Sequence, residues 1–291
     1  MDDYSAFIPK VYFEQISIKN LVSNQEYQRN LSVSHVRRTV ENFDLYQINP
    51  VKVSRRDGVN YVFNGQHTIE IIATVSKSRE IPVWCMIYDD LAYTQEADIF
   101  ANQLKYVKPL VPFEIFMANV EAGNDIQLII KSLVESYGLF LSAKTKVPGG
   151  ICAIACLEHV HHKFGFHVLD RTLRLSVGTW EGDHNSLSAN MLKGIAHLIA
   201  AFGDVLKDDI FKERVGKFSS REIGRTAKER KAGSLGYAEA MLIAYNKKTK
   251  TPLRWSKLYT SKSSAPNDAF DTEYDETDFD ARAKTEESDG A

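Results

Sequence analysis

Residues 51–73, VKVSRRDGVNYVFNGQHTIEIIA, restrict the fold more than any other part of the chain. Two runs rich in β-branched and aromatic residues flank Asp57-Gly58, a pair suited to a tight hairpin because glycine accepts positive φ. The second run, YVFN, passes through Gly65 into Gln66, His67 and Thr68 and then into a helical pattern carrying Ile69, Ile72 and Ala73. The helix N-terminus that results exposes backbone N–H groups and a partial positive charge, so Asn64-Gly65-Gln66-His67-Thr68 can cradle an anion such as a phosphate. The plainer alternative is a tight turn with a helix cap.

The neighbouring segments extend this pattern. Residues 11–21 (VYFEQISIKNL) and 81–89 (IPVWCMIYD) read as strands. Ser32 or Ser34 can cap a helix with Val33, Val36, Val40 and Phe43 at helical spacing, and Thr94 can cap another that runs to about residue 104. Pro112 suits a first helical position, and Asn124 a cap, for two helices that follow. Beyond these the pattern is helical, over 151–163, 169–179, 188–202 and 238–245. The expected fold is therefore α+β: a mixed domain over residues 1–110, an all-α domain over 111–262, and a polar tail over 263–291 that is too poor in apolar residues to fold alone.

Charge divides the chain further. The 291 residues carry a net charge of −2, but residues 266–291 hold ten acidic residues and two basic ones. Residues 207–262 hold fifteen Lys or Arg against six Asp or Glu. Lys217, Arg221, Arg225, Lys228, Arg230 and Lys231 fall within one stretch, KFSSREIGRTAKERKAGS, and such clustered cations point to DNA or RNA phosphates. The competing reading is a solvated helix face balanced by the acidic tail. Phe270, Tyr274 and Phe279 interrupt that tail and could dock on a protein partner.

Three cysteines are too few for a disulfide framework, which suits a reducing cytoplasm. No apolar run reaches the roughly 20 residues of a membrane span, and MDDYSAFIPK has no secretory apolar stretch. Cys152, Cys156 and His159 fall on one face of an expected helix, but they match no zinc module and read better as core. Asp183 and His184 read as loop.

Three boxes in order carry a resemblance to the ParB/sulfiredoxin-like superfamily over residues 10–120. They are Asn24-Gln25-Glu26-Tyr27-Gln28-Arg29, then Asn64-Gly65-Gln66-His67-Thr68, then Phe100-Ala101-Asn102 leading to Leu110, Pro112 and Glu114. The resemblance implies a site for CTP, or for ATP or ADP, with Mg2+. Gln28, Arg29, Asn64, Gly65, Gln66, His67, Thr68 and Asn102 would bind the nucleotide, and Asn102 would also help hold the metal. It further implies DNA as a partner, a homodimer, and a phage, plasmid or mobile-element setting. Residues 126–140 would supply the first helix of a DNA-binding helix-turn-helix. The sequence departs from the family where paired arginines become His67 and Thr68, and where Ala101 replaces an acidic residue. Gln66 stands where sulfiredoxin has its catalytic cysteine, which excludes that chemistry. Two alternatives share the fold. One is a metal-dependent enzyme for nucleotide hydrolysis, phosphoryl transfer or nucleic-acid cleavage, with His67 and Glu70 as catalytic groups. The other is an accessory interaction protein with a vestigial pocket.

Overall fold

Alternation at period two across residues 51–64 closes on itself as the Asp57-Gly58 pair predicts. In a computed structural model, which describes residues 11–23, 26–28, 30–103, 105 and 109–260, β3 (Val51–Arg56) and β4 (Val59–Asn64) form an antiparallel hairpin. Asp57 and Gly58 both have positive φ, 51° and 77°, which matches the turn to the strands' twist. The tail expected over 263–291 lies outside the described residues, as does Arg29.

The described residues divide into two units on either side of the Pro109–Leu110 junction. In the first, β1 (Val11–Ser17), β2 (Leu21–Val22) and β5 (Pro82–Asp89) join the hairpin in a mixed five-stranded sheet ordered β1-β5-β3-β4-β2. The strand expected over 11–21 stops at Ser17, because Ile18–Asn20 tighten into a 3-10 turn that swings the short β2 to the opposite edge. Helix α1 (Val33–Glu41) is capped by Ser32, whose hydroxyl accepts from the His35 N–H. Helix α2 (Gln66–Ser76) lays Ile69, Ile72 and Ala73 against one face of the sheet, burying Ile16, Val51, Val53, Val62, Val83, Cys85 and Ile87. Burial pushes the Cys85 thiol up to about 11.

Helix α3 (Tyr93–Asn102) starts one residue before the expected cap, Thr94. The Gln95 side chain accepts from the Ala92 N–H instead. Its buried Glu96 accepts from the Tyr27 hydroxyl at 3.2 Å and lies 2.9 Å from Arg56 Nε, although that N–H does not point at the oxygen. Burial, and then the Glu96 charge, hold the Tyr27 phenol well above its ordinary value. Arg56 also stacks over Tyr61, 4.4 Å from the ring centre.

The second unit is mainly helical: α4 (Pro112–Glu121), α5 (Asp125–Ser136), α6 (Ile154–Phe164), α7 (Phe166–Trp180), α8 (Ala189–Phe202), α9 (Asp208–Val215), α10 (Ser220–Arg230), α11 (Gly233–Asn246) and α12 (Ser256–Thr260). The all-α expectation needs correction, because β6 (Phe140–Leu141) and β7 (Gly150–Ile151) pair in parallel. For the same reason 126–140 begins no helix-turn-helix: after α5 the chain enters β6. One core gathers around α4 to α7 and a second around α8 to α11. Helices α8 and α11 cross at Gly194, where a Cβ would stand 2.8 Å from Tyr237 Cβ and 3.1 Å from the Ala238 nitrogen. Only a residue without a side chain lets these two backbones approach so closely. Among the described residues no helix is long and apolar enough to cross a membrane.

Candidate functional site

The strand-to-helix turn owes its glycine first to the fold. Gly65 has φ +110°, a left-handed conformation that favours glycine, and a Cβ there would sit 3.2 Å from the Val51 Cα and from both its methyls. The first intrahelical bond of α2 is Ile69 N–H to the Gly65 carbonyl, 3.0 Å, so Gln66, His67 and Thr68 make up the helix's first turn, whose N–H groups have no partner within the helix. Residues 64–68 are half-buried.

Other elements meet this turn. Asn64, ending β4, donates through Nδ2 to Gln103 Oε1 just past α3, at 2.7 Å. His67 accepts the Ser32 N–H at Nε2, 3.1 Å, so its proton sits on Nδ1. The His35 ring stands edge-on to it at 5.4 Å. Gln28 donates through Nε2 to the Val62 carbonyl at 2.7 Å, and its Oε1 is buried without a hydrogen-bond partner among the described residues. Tyr27 packs on Phe100 at 5.6 Å. The three boxes, far apart in sequence, thus come together at one end of the sheet.

The remaining expected groups are placed as follows. Asn102 ends α3 and donates through Nδ2 to both the Asp98 carbonyl, 3.0 Å, and its carboxylate, 2.9 Å. Glu70 turns away toward Arg79, whose Nη2 lies 2.5 and 2.7 Å from its two oxygens. One surface hollow reaches Asp98 on α3, and another lies in the second unit. The first, of about 410 Å³, runs along α3 beside Leu91, Thr94, Gln95, Asp98 and Ile99; the second, of about 350 Å³, lies at Arg171, Arg174, Asp204 and Lys207. Among the described residues no group of three or more His, Cys, Asp or Glu could hold a metal. Asp98 and the Asn102 side-chain oxygen fit a magnesium ion only where nucleotide phosphates supply most of its ligands.

In the second unit the six expected cations all lie exposed on or beside α10. Ser220, Ile223 and Ala227 form the buried side of that helix, which leaves Arg221, Arg225 and Lys228 at i, i+4 and i+7 on the outer side. Ser219 and Glu222 form a reciprocal cap: the Ser219 hydroxyl accepts the Glu222 N–H, and Glu222 Oε2 accepts the Ser219 N–H at 2.8 Å. That backbone bond, followed by the Ser219 hydroxyl, holds the Glu222 carboxyl below its ordinary value. Lys217 pairs with Glu213 at 3.2 Å. Arg230 pairs with Glu239 at 3.3 Å and stacks on Trp255, and Lys231 lies over Tyr259. Lys247 stacks on Phe218 in the turn before α10 and so joins the basic end from a distant part of the sequence.

A family model described as "Family of unknown function (DUF6551)" matches residues 22–254. The chain belongs to this family. No curated protein matches it. Among solved structures, the C-terminally truncated chromosome-partitioning protein ParB from Caulobacter crescentus complexed with CTP-gamma-S is similar at a TM-score of 0.34 and 12% identity, over 79% of this chain and 99% of that chain.

In this DUF6551 protein several neighbours of the site come from outside the three boxes. Ser32 carries a recognisable cap signal, but its bond to His67 spans 35 positions and leaves no local trace. Asp98 and Gln103 flank Asn102 one turn before and one residue after it, so the third box extends further than its motif. Cys152 precedes α6 rather than sharing its face with Cys156, because the β7 pair delays the helix to Ile154; Cys156 is buried and packs against the Ala189 carbonyl. Asp183 accepts from the Ser220 hydroxyl and from Asn185, and it lies 3.4 Å from His184; it serves to pin the start of α10. Burial alone would raise its carboxyl, but these hydrogen bonds and the His184 charge prevail and lower it.

Proposed function

We propose that this protein binds a nucleotide phosphate at the Gly65–Thr68 turn and nucleic acid along α10. The observation that carries the first half is that residues of three sequence-distant boxes meet around the end of β4, where α2 begins: Gln28 at Val62, and Gln103 at Asn64. Asn64, His67 and Thr68 supply polar side chains there, Asn102 and Asp98 stand at the neighbouring end of α3, and Arg29 would add the phosphate-pairing charge that His67 and Thr68 provide weakly. The nucleotide is CTP, ATP or ADP, with magnesium held largely by its phosphates. With Glu70 occupied by Arg79, the reading is of binding that orders the domain rather than of a base that drives turnover.

The second half is carried by the outer stripe of α10, where Arg221, Arg225 and Lys228 recur at the spacing of helical neighbours. The test of the first half is calorimetric titration with CTP, ATP and ADP plus magnesium. Thr68→Glu places a carboxylate in the first turn, where the helix tolerates it and an anion does not. The expected result is heat for at least one nucleotide in the wild type and a loss of about tenfold or more in the variant. Absence of heat for all three nucleotides overturns the reading.

A further inference from the structure

We propose that the edge formed by α10 and α12 is a docking surface for single-stranded nucleic acid, with Tyr259 as a base-stacking platform. This rests on the nucleic-acid half of the function proposed above and adds the class of strand. Three observations combine.

First, the outer stripe of α10 is a ladder of cations. Arg221, Arg225 and Lys228 are exposed, and none of them has a hydrogen bond or ion-pair partner among the described residues. Lys247 extends the positive charge at one end of the helix and Lys231 at the other, beside Lys217 and Arg230, which are ion-paired with Glu213 and Glu239.

Second, the ladder ends at aromatic rings. Tyr259 is 54% exposed, with Lys231 Nζ 5.5 Å from its ring centre, and the half-buried Trp255 carries Arg230 at 5.4 Å.

Third, a buried carboxylate fixes this end. The Glu239 side chain on α11 is 7% exposed, yet its partners are two surface groups, the Tyr259 hydroxyl and Arg230 Nε. A charge that is buried in order to hold surface side chains orients the Tyr259 ring and the Arg230 guanidinium rigidly, at a desolvation cost that packing alone does not require.

A duplex hides the faces of its bases in its own stack, so an exposed aromatic beside a cation ladder offers it charge alone. A single strand offers phosphates to the ladder and an unpaired base to the ring. An acidic peptide would use the ladder and leave the ring unused.

The experiment measures fluorescence anisotropy of a labelled oligothymidylate, a duplex of equal length and polyglutamate, each with the full chain across a salt series. The wild type is expected to favour oligothymidylate over duplex. Tyr259→Ala should weaken oligothymidylate binding about fivefold or more, with little effect on the duplex. Tyr259→Phe keeps the ring and should keep most of the affinity. Reversing Arg221, Arg225 and Lys228 to Glu should lower the salt slope by about two. Thermal melting of each variant separates lost binding from lost folding.

Duplex bound as tightly as the single strand, with Tyr259→Ala without effect in a folded protein, overturns the single-strand assignment and leaves the nucleic-acid reading standing. Polyglutamate bound as tightly as oligothymidylate, again indifferent to Tyr259, overturns it in favour of a protein partner. Binding of neither nucleic acid overturns both.

Discussion

The two units handle polar residues in opposite ways. In the first, the polar side chains of the boxes are half-buried and tied across elements: Asn64 to Gln103, His67 to Ser32, Gln28 to Val62. In the second, the cations of α10 project from a helix whose stability comes from Ile223, Ala227 and the Ser219–Glu222 cap. The contrast shows where function and folding can be separated by mutation. Residues at the Gly65 turn hold the fold as well as any ligand, whereas the α10 stripe can be altered with little structural penalty.

The steepest test of this contrast is Gly65→Ala. A methyl at φ +110° and 3.2 Å from Val51 combines backbone strain with overpacking, and the first unit should lose about 2–4 kcal/mol in urea unfolding while the second keeps its own transition. An unchanged midpoint would show that Val51 yields freely. His67→Ala should cost about 1 kcal/mol, because the Ser32 N–H loses its acceptor at the start of α1; His67→Asn, if it reaches Ser32, should recover part of that.

Acidification should act on the second unit. Burial, followed by the charges of Lys163, His159 and Lys193, depresses the pKa of His197. The unfolded chain therefore takes up this proton first as pH falls through the ordinary histidine value of about 6.5. The stability that the neutral ring contributes is fully present above that pH and is lost below it. Melting temperature followed from pH 8 to 5 should fall on the acid side, and His197→Gln should flatten that limb.

Glu70→Gln is expected to change stability by less than about 1 kcal/mol, since Arg79 and Glu70 are both solvent-accessible. Replacing any one of Arg221, Arg225 and Lys228 by Ala should move stability least of all, within about 0.5 kcal/mol, and the triple variant should stay folded while nucleic-acid binding falls. A large loss of stability in that triple variant would erase the distinction between the two units.

Local chemistry explains which of these features could be read from the chain. The hairpin at Asp57-Gly58, the helix after Gly65 and the helix opened by Pro112 each depend on one residue's backbone preference or one cap, and each forms where expected. The Glu114 carboxylate accepting the Val111 N–H completes the last of these. Helices α9 and α10 have only a faint signature in the sequence, because few apolar residues mark their buried sides: Phe211 and Val215 in one, Ile223 and Ala227 in the other. The β6–β7 pair is only two residues long on each side and carries no alternation to detect. At the site, the boxes were visible as strings, but their joining depends on hydrogen bonds that span 34 to 39 positions, and no local pattern encodes such pairs.

The crossing at Gly194 has a consequence for how this family can diverge. Since a methyl at 194 would run into Tyr237 Cβ and the Ala238 nitrogen, any homologue with a larger residue there must carry a compensating change on the facing helix or accept a wider gap between the two. Neither atom can be substituted away, short of glycine at 237, so a lineage that enlarges position 194 would shift α11, and with it the buried carboxylate of Glu239 that orients Tyr259.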